Sequence, residues 1–195
     1  MRRLVAIAMT CAAMGIGISS GAYAATFKWA SQGDILTFDP HAQNEAFNNT
    51  ANSYVYEALL NLNKGKVQPC LAESWTSVPE GFVFKLRKGV KFHEGEPLTA
   101  EDVAFSINRA LHPISQFKTF TAGILGAEAL PNGDVLIRTI NHSPVLLNQL
   151  AYLRILNKAW AEKHGAAAPQ NFVAKEEAYA AKHANGTGPF KLQSR

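Results

Sequence analysis

Cysteine is nearly absent, with Cys11 and Cys70 the only two in the chain. That excludes a disulfide-dense scaffold and a cysteine-rich zinc module, because both need several thiols at close spacing. Charge is sparse as well, 17% of residues, with Lys+Arg 19 against Asp+Glu 15. So small an excess builds no dedicated nucleic-acid surface and no surface for anionic lipid. Gly 14 and Pro 9 in 195 residues are too few for a fibre, and neither an internal repeat nor a low-complexity linker is visible. Apolar side chains, by contrast, are plentiful. At 47% hydrophobic the chain can build a globular core, in one domain or two small ones.

Enzyme signatures are missing too. There is no Gly-x-Ser-x-Gly elbow, no His-Glu-x-x-His pair and no P-loop, and His41, His93, His112, His142, His164 and His183 show no paired spacing on one helix face. His93-Glu94 reads as a solvated turn, since a metal site needs three or four convergent ligands. Glu176-Glu177 reads as a solvated helix face. Cys70 reads as a small buried residue, with no catalytic context around it. The chain is therefore not expected to be an enzyme, and no cofactor or metal is implied.

The first 24 residues have the order of a secretory signal: basic Met1-Arg2-Arg3, an apolar run from Leu4 to Ile18, then the small-x-small site Ala22-Tyr23-Ala24. The run is about 15 residues where a span needs about 20, so no stable membrane insertion is expected after cleavage. Cleavage removes Arg2, Arg3, Cys11 and the glycines at 15 and 17, leaving Cys70 as the one mature thiol. Such a signal implies export from the cytoplasm.

Along the exported chain, a strand is expected near Thr26 to Ala30, and Asp39-Pro40 marks an extended turn. Ala51, Val55, Ala58, Leu59 and Leu62 recur at helical spacing, predicting a helix from Asn48 to Leu62 that ends in the polar turn Asn61 to Gly65. Leu71 to Val78 and Phe82 to Leu86 alternate about Pro79-Glu80-Gly81, which predicts a β-hairpin. Thr99, three residues before Asp102, caps a helix with the apolar stripe Val103, Ile107, Ala110 and Leu111, ending before Pro113. A second hairpin, Gly126 to Leu130 and Asp134 to Ile140, turns at Pro131-Asn132-Gly133. Ser143-Pro144 opens a helix through Leu150, and Ala159 to His164 forms another, stopped by Gly165. Asn171 to His183 is expected to be helical, broken by Gly186-Thr187-Gly188-Pro189 before a strand beginning at Phe190-Lys191-Leu192.

Three segments follow one another within about forty residues: Leu71-Ala72-Glu73-Ser74-Trp75, then Phe84 to Gly95, then Leu98 to Ser106. With Phe38-Asp39-Pro40-His41, Tyr56-Glu57-Ala58-Leu59 and Gly186 to Phe190, they closely resemble the bacterial extracellular solute-binding protein family 5, the peptide, nickel and oligosaccharide-binding components of ABC transporters. The resemblance implies an α/β fold class (mixed α+β), an incomplete periplasmic-binding-protein type II-like lobe with an inserted β-hairpin/helix subdomain. It divides the chain into signal peptide 1–24, a first segment of lobe I at 25–47, an inserted α+β subdomain at 48–175, and a return strand at 176–195, truncated before lobe II. It implies a periplasmic, monomeric binding protein for a small-molecule or peptide solute, peptides favoured, that delivers it to inner-membrane ABC permease subunits by hinge closure.

Most motif residues read as architecture: Trp75 and the Phe82, Phe84 and Leu86 face as core, Asp102 as a cap, Arg87 at a strand edge. The resemblance implies ligand-binding candidates at Asn44, Glu45, Ala46 and Phe47 after the Asp-Pro-His motif, offering extended backbone to a peptide where the residues alone read as an ordinary polar loop, and at Phe117 and Phe120, which read equally as aromatic ligand contacts or as core. The charged group that would pair with a ligand terminus is expected in the second lobe, so residues 25 to 195 alone should bind little. Alternatives are an exported chaperone-like or interaction module of the same ancestry, and a secreted hydrolase.

Overall fold

A computed structural model describes residues 33–141, 143 and 145–195. The signal, the strand near Thr26 to Ala30 and the role of Pro144 lie outside the described residues. Four strands make one antiparallel sheet. They are β3 (Ala72–Val78), β4 (Gly81–Leu86), β5 (Ile124–Ala129) and β6 (Val135–Thr139), in the order β3-β4-β6-β5. Both expected hairpins are here, and the second strand of each pairs centrally, Phe82 opposite Ile137 and Phe84 opposite Val135.

Period-two alternation puts Trp75, Phe82, Phe84, Val135 and Ile137 on one face of this sheet. Helix α2 (Ala100–Leu111) lies against that face, with Val103, Ile107 and Ala110 buried in the same core as Phe82 and Phe84. Each large side chain buried there is worth about 1.5–3 kcal/mol. The helix begins as expected. Thr99 Oγ1 accepts from the Asp102 N–H at 3.3 Å, and the Asp102 carboxylate accepts from the Thr99 N–H at 2.9 Å. Asp102 also accepts from the Lys158 N–H at 2.7 Å, so the cap joins α2 to α5 (Lys158–Lys163).

The helix expected from Asn48 to Leu62 is shorter. Helix α1 runs Ala46–Val55, and Tyr56 is already extended at φ −121 and ψ 141. Remote N–H groups claim the carbonyls that would continue it: Ile155 donates to Glu57, Leu71 to Ala58 and Ala72 to Leu59, at 2.9, 3.2 and 2.9 Å. Leu60–Asn63 (β1) instead pairs with Lys66–Pro69 (β2) through a tight turn, where Lys64 and Gly65 take φ of +50 and +74. Ala58 and Leu59 of that stripe are buried and Leu62 is half-buried on β1, none of them on a helix. Helices α3 (Lys118–Thr121) and α4 (Val145–Leu150) join the same core, Leu146 and Leu150 buried in it and Phe120 packed against it.

Two later expectations are corrected. Asn171 to His183 is not a helix: Lys175 takes φ +54, the Glu176 carboxylate accepts from the Asn171 N–H at 2.6 Å, and only Tyr179–Ala181 forms a single 3-10 turn. Side chain to backbone bonds compete successfully with the helix here, and the stretch buries Ala180 and Ala181 through the short turn alone. Glu176 and Glu177 are accordingly on no helix face. Phe190-Lys191-Leu192 is not a strand either. The Gly186 to Phe190 ribbon is held between α1 and the His93 turn, with Gly188 N donating to Val55 O at 2.9 Å, Phe190 N to Tyr54 O at 3.0 Å and His93 N to Gly186 O at 2.9 Å. A Cβ on Gly186 would stand 2.1 Å from Val55 O, which is why glycine occupies that position. His93 is correspondingly not a solvated turn, because its Nε2 lies 2.8 Å from Gly188 O.

Candidate functional site

The Asp-Pro-His motif folds into the interior. Asp39, His41 and Arg109 are all buried, at 1%, 0% and 3% exposure. Arg109 Nη1 and Nη2 grip the two Asp39 oxygens at 2.8 and 2.6 Å. Its Nε donates to Ala166 O at 2.9 Å and Nη2 also to Ala168 O at 3.0 Å, while Nη1 lies 3.1 Å from His41 Nδ1. All five guanidinium N–H groups are satisfied. A guanidinium can only donate, so His41 Nδ1 accepts, and its Nε2–H donates to Arg154 O at 3.1 Å. Burial, reinforced by Arg109, pushes His41 down to about 3. Burial would raise Asp39, but Arg109 outweighs it and holds the carboxyl below its usual value.

This buried chain of bonds ends on the backbone of Arg154, which also bridges Ala58. The side chains of Tyr152 and Arg154 stand at an open depression of about 410 Å³ whose other wall is the polar face of α1, with Asn49, Thr50 and Ser53. The inner face of α1 is tied down: Asn48 Oδ1 accepts from Leu36 N and Thr37 N at 3.0 and 3.1 Å, and Asn52 donates to Thr37 O at 3.3 Å.

The six expected ligand contacts divide. Asn44 and Ala46 line the depression. Glu45 is the N-cap of α1, its carboxylate accepting from Phe47 N and Asn48 N at 3.0 and 2.9 Å; those bonds, Phe47's first, hold it below the usual carboxylate range. The expectation of extended backbone through Phe47 is therefore corrected, because Ala46 and Phe47 already belong to the helix and the Phe47 N–H is engaged by the cap. Phe117 is buried in the core, edge-on to His41 at 5.7 Å. Phe120 is half-buried and stacks on Tyr152 at 4.6 Å and 15°, so these two aromatics reach the depression through Tyr152.

Sequence reasoning missed Tyr152 and Arg154. Their spacing of two, in a segment otherwise apolar from Leu150 to Leu156, was the available signal: on an extended backbone it puts both on one side. Cys70 is half-buried, its thiol pushed up by burial and then by Glu57, whose carboxylate is 3.5 Å away. Among the described residues no group of three or more His, Cys, Asp or Glu could hold a metal ion, and no helix is long and apolar enough to cross a membrane.

Residues 66–195 match the family described as bacterial extracellular solute-binding proteins, family 5 Middle. The glutathione-binding protein GsiB of Escherichia coli O1:K1 is 29% identical over 168 residues, which cover 83% of this chain and 30% of that protein. Among solved structures, MoaA of A. tumefaciens R10 in complex with mannopinic acid superposes with a TM-score of 0.68 at 31% identity, covering 83% of this chain and 33% of MoaA. DppA of Helicobacter pylori in complex with the peptide STSA gives 0.65 at 26%, covering 80% and 34%. The chain thus spans about a third of the length of the relatives it matches.

Proposed function

The chain belongs to the bacterial extracellular solute-binding proteins of family 5, and from that premise we propose that it is the periplasmic solute-binding component of an ABC importer, taking peptides. The observation that carries the reading is the depression between α1 and the Tyr152-Arg154 segment. It joins neutral hydrogen-bonding side chains, an aromatic platform and one cation on rigid supports, the mixture that a small polar solute needs. A peptide presents all three complements: amides, side chains and a terminal charge. The named ligands of the relatives, glutathione, mannopinic acid and the peptide STSA, support a small polar solute in general, with two peptides among the three.

Function then consists of grip and release. A solute seated on this wall is enclosed by hinge closure of a second lobe, and the closed form docks on the permease in the inner membrane. The test is calorimetric titration and thermal unfolding of the protein expressed from its own reading frame, against glutathione and short peptides. Saturable binding should raise the midpoint as RT ln(1 + [L]/Kd). If neither glutathione nor any peptide binds, the reading is wrong.

A further inference from the structure

We propose, building on that reading, that the depression is a carboxylate subsite in which the Arg154 guanidinium clamps a carboxylate of the solute. Among the described residues the other arginines are all engaged: Arg87 with Glu57, Arg109 with Asp39, Arg138 with Glu128 and Arg195 with Leu36 O. The Arg154 side chain donates to no acceptor among the described residues, although it is partly buried. Its nearest acid, Glu57, faces Arg87 at 3.6 Å and the Cys70 thiol at 3.5 Å. The Arg154 guanidinium is partly desolvated and has no hydrogen-bond acceptor among the described residues, and its planar fork fits the two oxygens of a carboxylate.

The surroundings match that ligand. Among the described residues Arg154 is the only charged one lining the depression, and none of the lining residues is an anion that would repel an incoming carboxylate. Asn49 Nδ2 donates to Asn44 Oδ1 at 2.8 Å, which aligns the two amides and leaves the Asn44 amide nitrogen available to a second oxygen. Tyr152 adds a phenol beside the guanidinium, steadied by its stack on Phe120. The backbone of Arg154 is fixed by the His41 bond and the Ala58 bridge, so the site is organised before the solute arrives. The charged partner of a solute terminus is therefore assigned to this chain, where the family resemblance had placed it in a second lobe.

The experiment titrates the protein expressed from its own reading frame with the tetrapeptide Ser-Thr-Ser-Ala as free acid, with its C-terminal amide, and with glutathione. The free acid should bind at least about tenfold more tightly than the amide, as expected for a charge-assisted pair. Arg154→Gln should abolish that preference and weaken glutathione, and Arg154→Lys should restore part of it, having charge without the fork. Equal affinity of the original protein for acid and amide would overturn the subsite while leaving solute binding intact, and needs no variant to fold. A preference that survives Arg154→Gln overturns it as well. Absence of binding to all three probes overturns the importer reading, and the subsite with it.

Discussion

Lowering the pH should destabilise this protein well before its carboxylates titrate, and the cause is one histidine. His41 is fully buried, accepts a hydrogen bond from Arg109 and is held at about 3 by burial and by that guanidinium, against 6.5 for an ordinary imidazole. Between those two values the unfolded chain binds a proton at this position that the folded chain refuses. Stability therefore rises with pH across the window and falls as pH drops through 6.5, with slope approaching 2.303RT, about 1.4 kcal/mol per unit. At about pH 5, about one and a half units into the window, the cost is about 2 kcal/mol, a sizeable part of the 5–15 kcal/mol typical of a domain. Above pH 6.5 the imidazole is neutral in both states and contributes no slope. Asp39 acts in the same direction only at more acid pH, because its depressed carboxyl is charged in both states until the unfolded value near 4 is reached. Urea unfolding at intervals from about pH 7 to about pH 5 measures the slope, with His41→Asn as the comparison, since Asn keeps an acceptor for Arg109 but cannot titrate. The variant should be less stable near neutrality, through loss of the bond to Arg154 O, yet flatter with pH. A slope equal in both proteins would refute the assignment.

Asp39→Asn leaves the Arg109 charge buried without its counter-ion and should cost about 3–5 kcal/mol in urea unfolding, whereas the double change Asp39→Asn with Arg109→Met should recover much of it. Additive losses would mean that the pair is not coupled. Gly188→Ala would press a Cβ to 2.6 Å from Tyr54 O and should cost at least about 1–3 kcal/mol. Gly33→Ala, which meets no atom of the described residues within 4 Å, should stay within about 0.5 kcal/mol of the original in the same assay.

The hairpins at Pro79-Glu80 and at Asn132-Gly133, the cap at Thr99 and the stop at Gly165 were all legible from a few consecutive residues, because turn chemistry, alternation and capping are local interactions. So was family membership, which rests on runs such as Leu71 to Trp75. Of the candidate site, Asn44 and Ala46 were legible through that resemblance, and Phe120 reaches the depression through a ring that the sequence did not single out.

What remained hidden depended on partners distant in the chain. The end of α1 could not be read from Val55 to Leu62, since N–H groups of residues 71, 72 and 155 take the carbonyls that would have extended it. Nor could the sequence show that Asp39 closes on Arg109, 70 positions away, and that His41 passes this order to the backbone of Arg154. Residue type alone marks Arg154 as one cation among several. Only folding leaves its guanidinium on a polar wall with no acceptor among the described residues, because hydrogen-bond satisfaction belongs to the assembled surface and is written in no single segment.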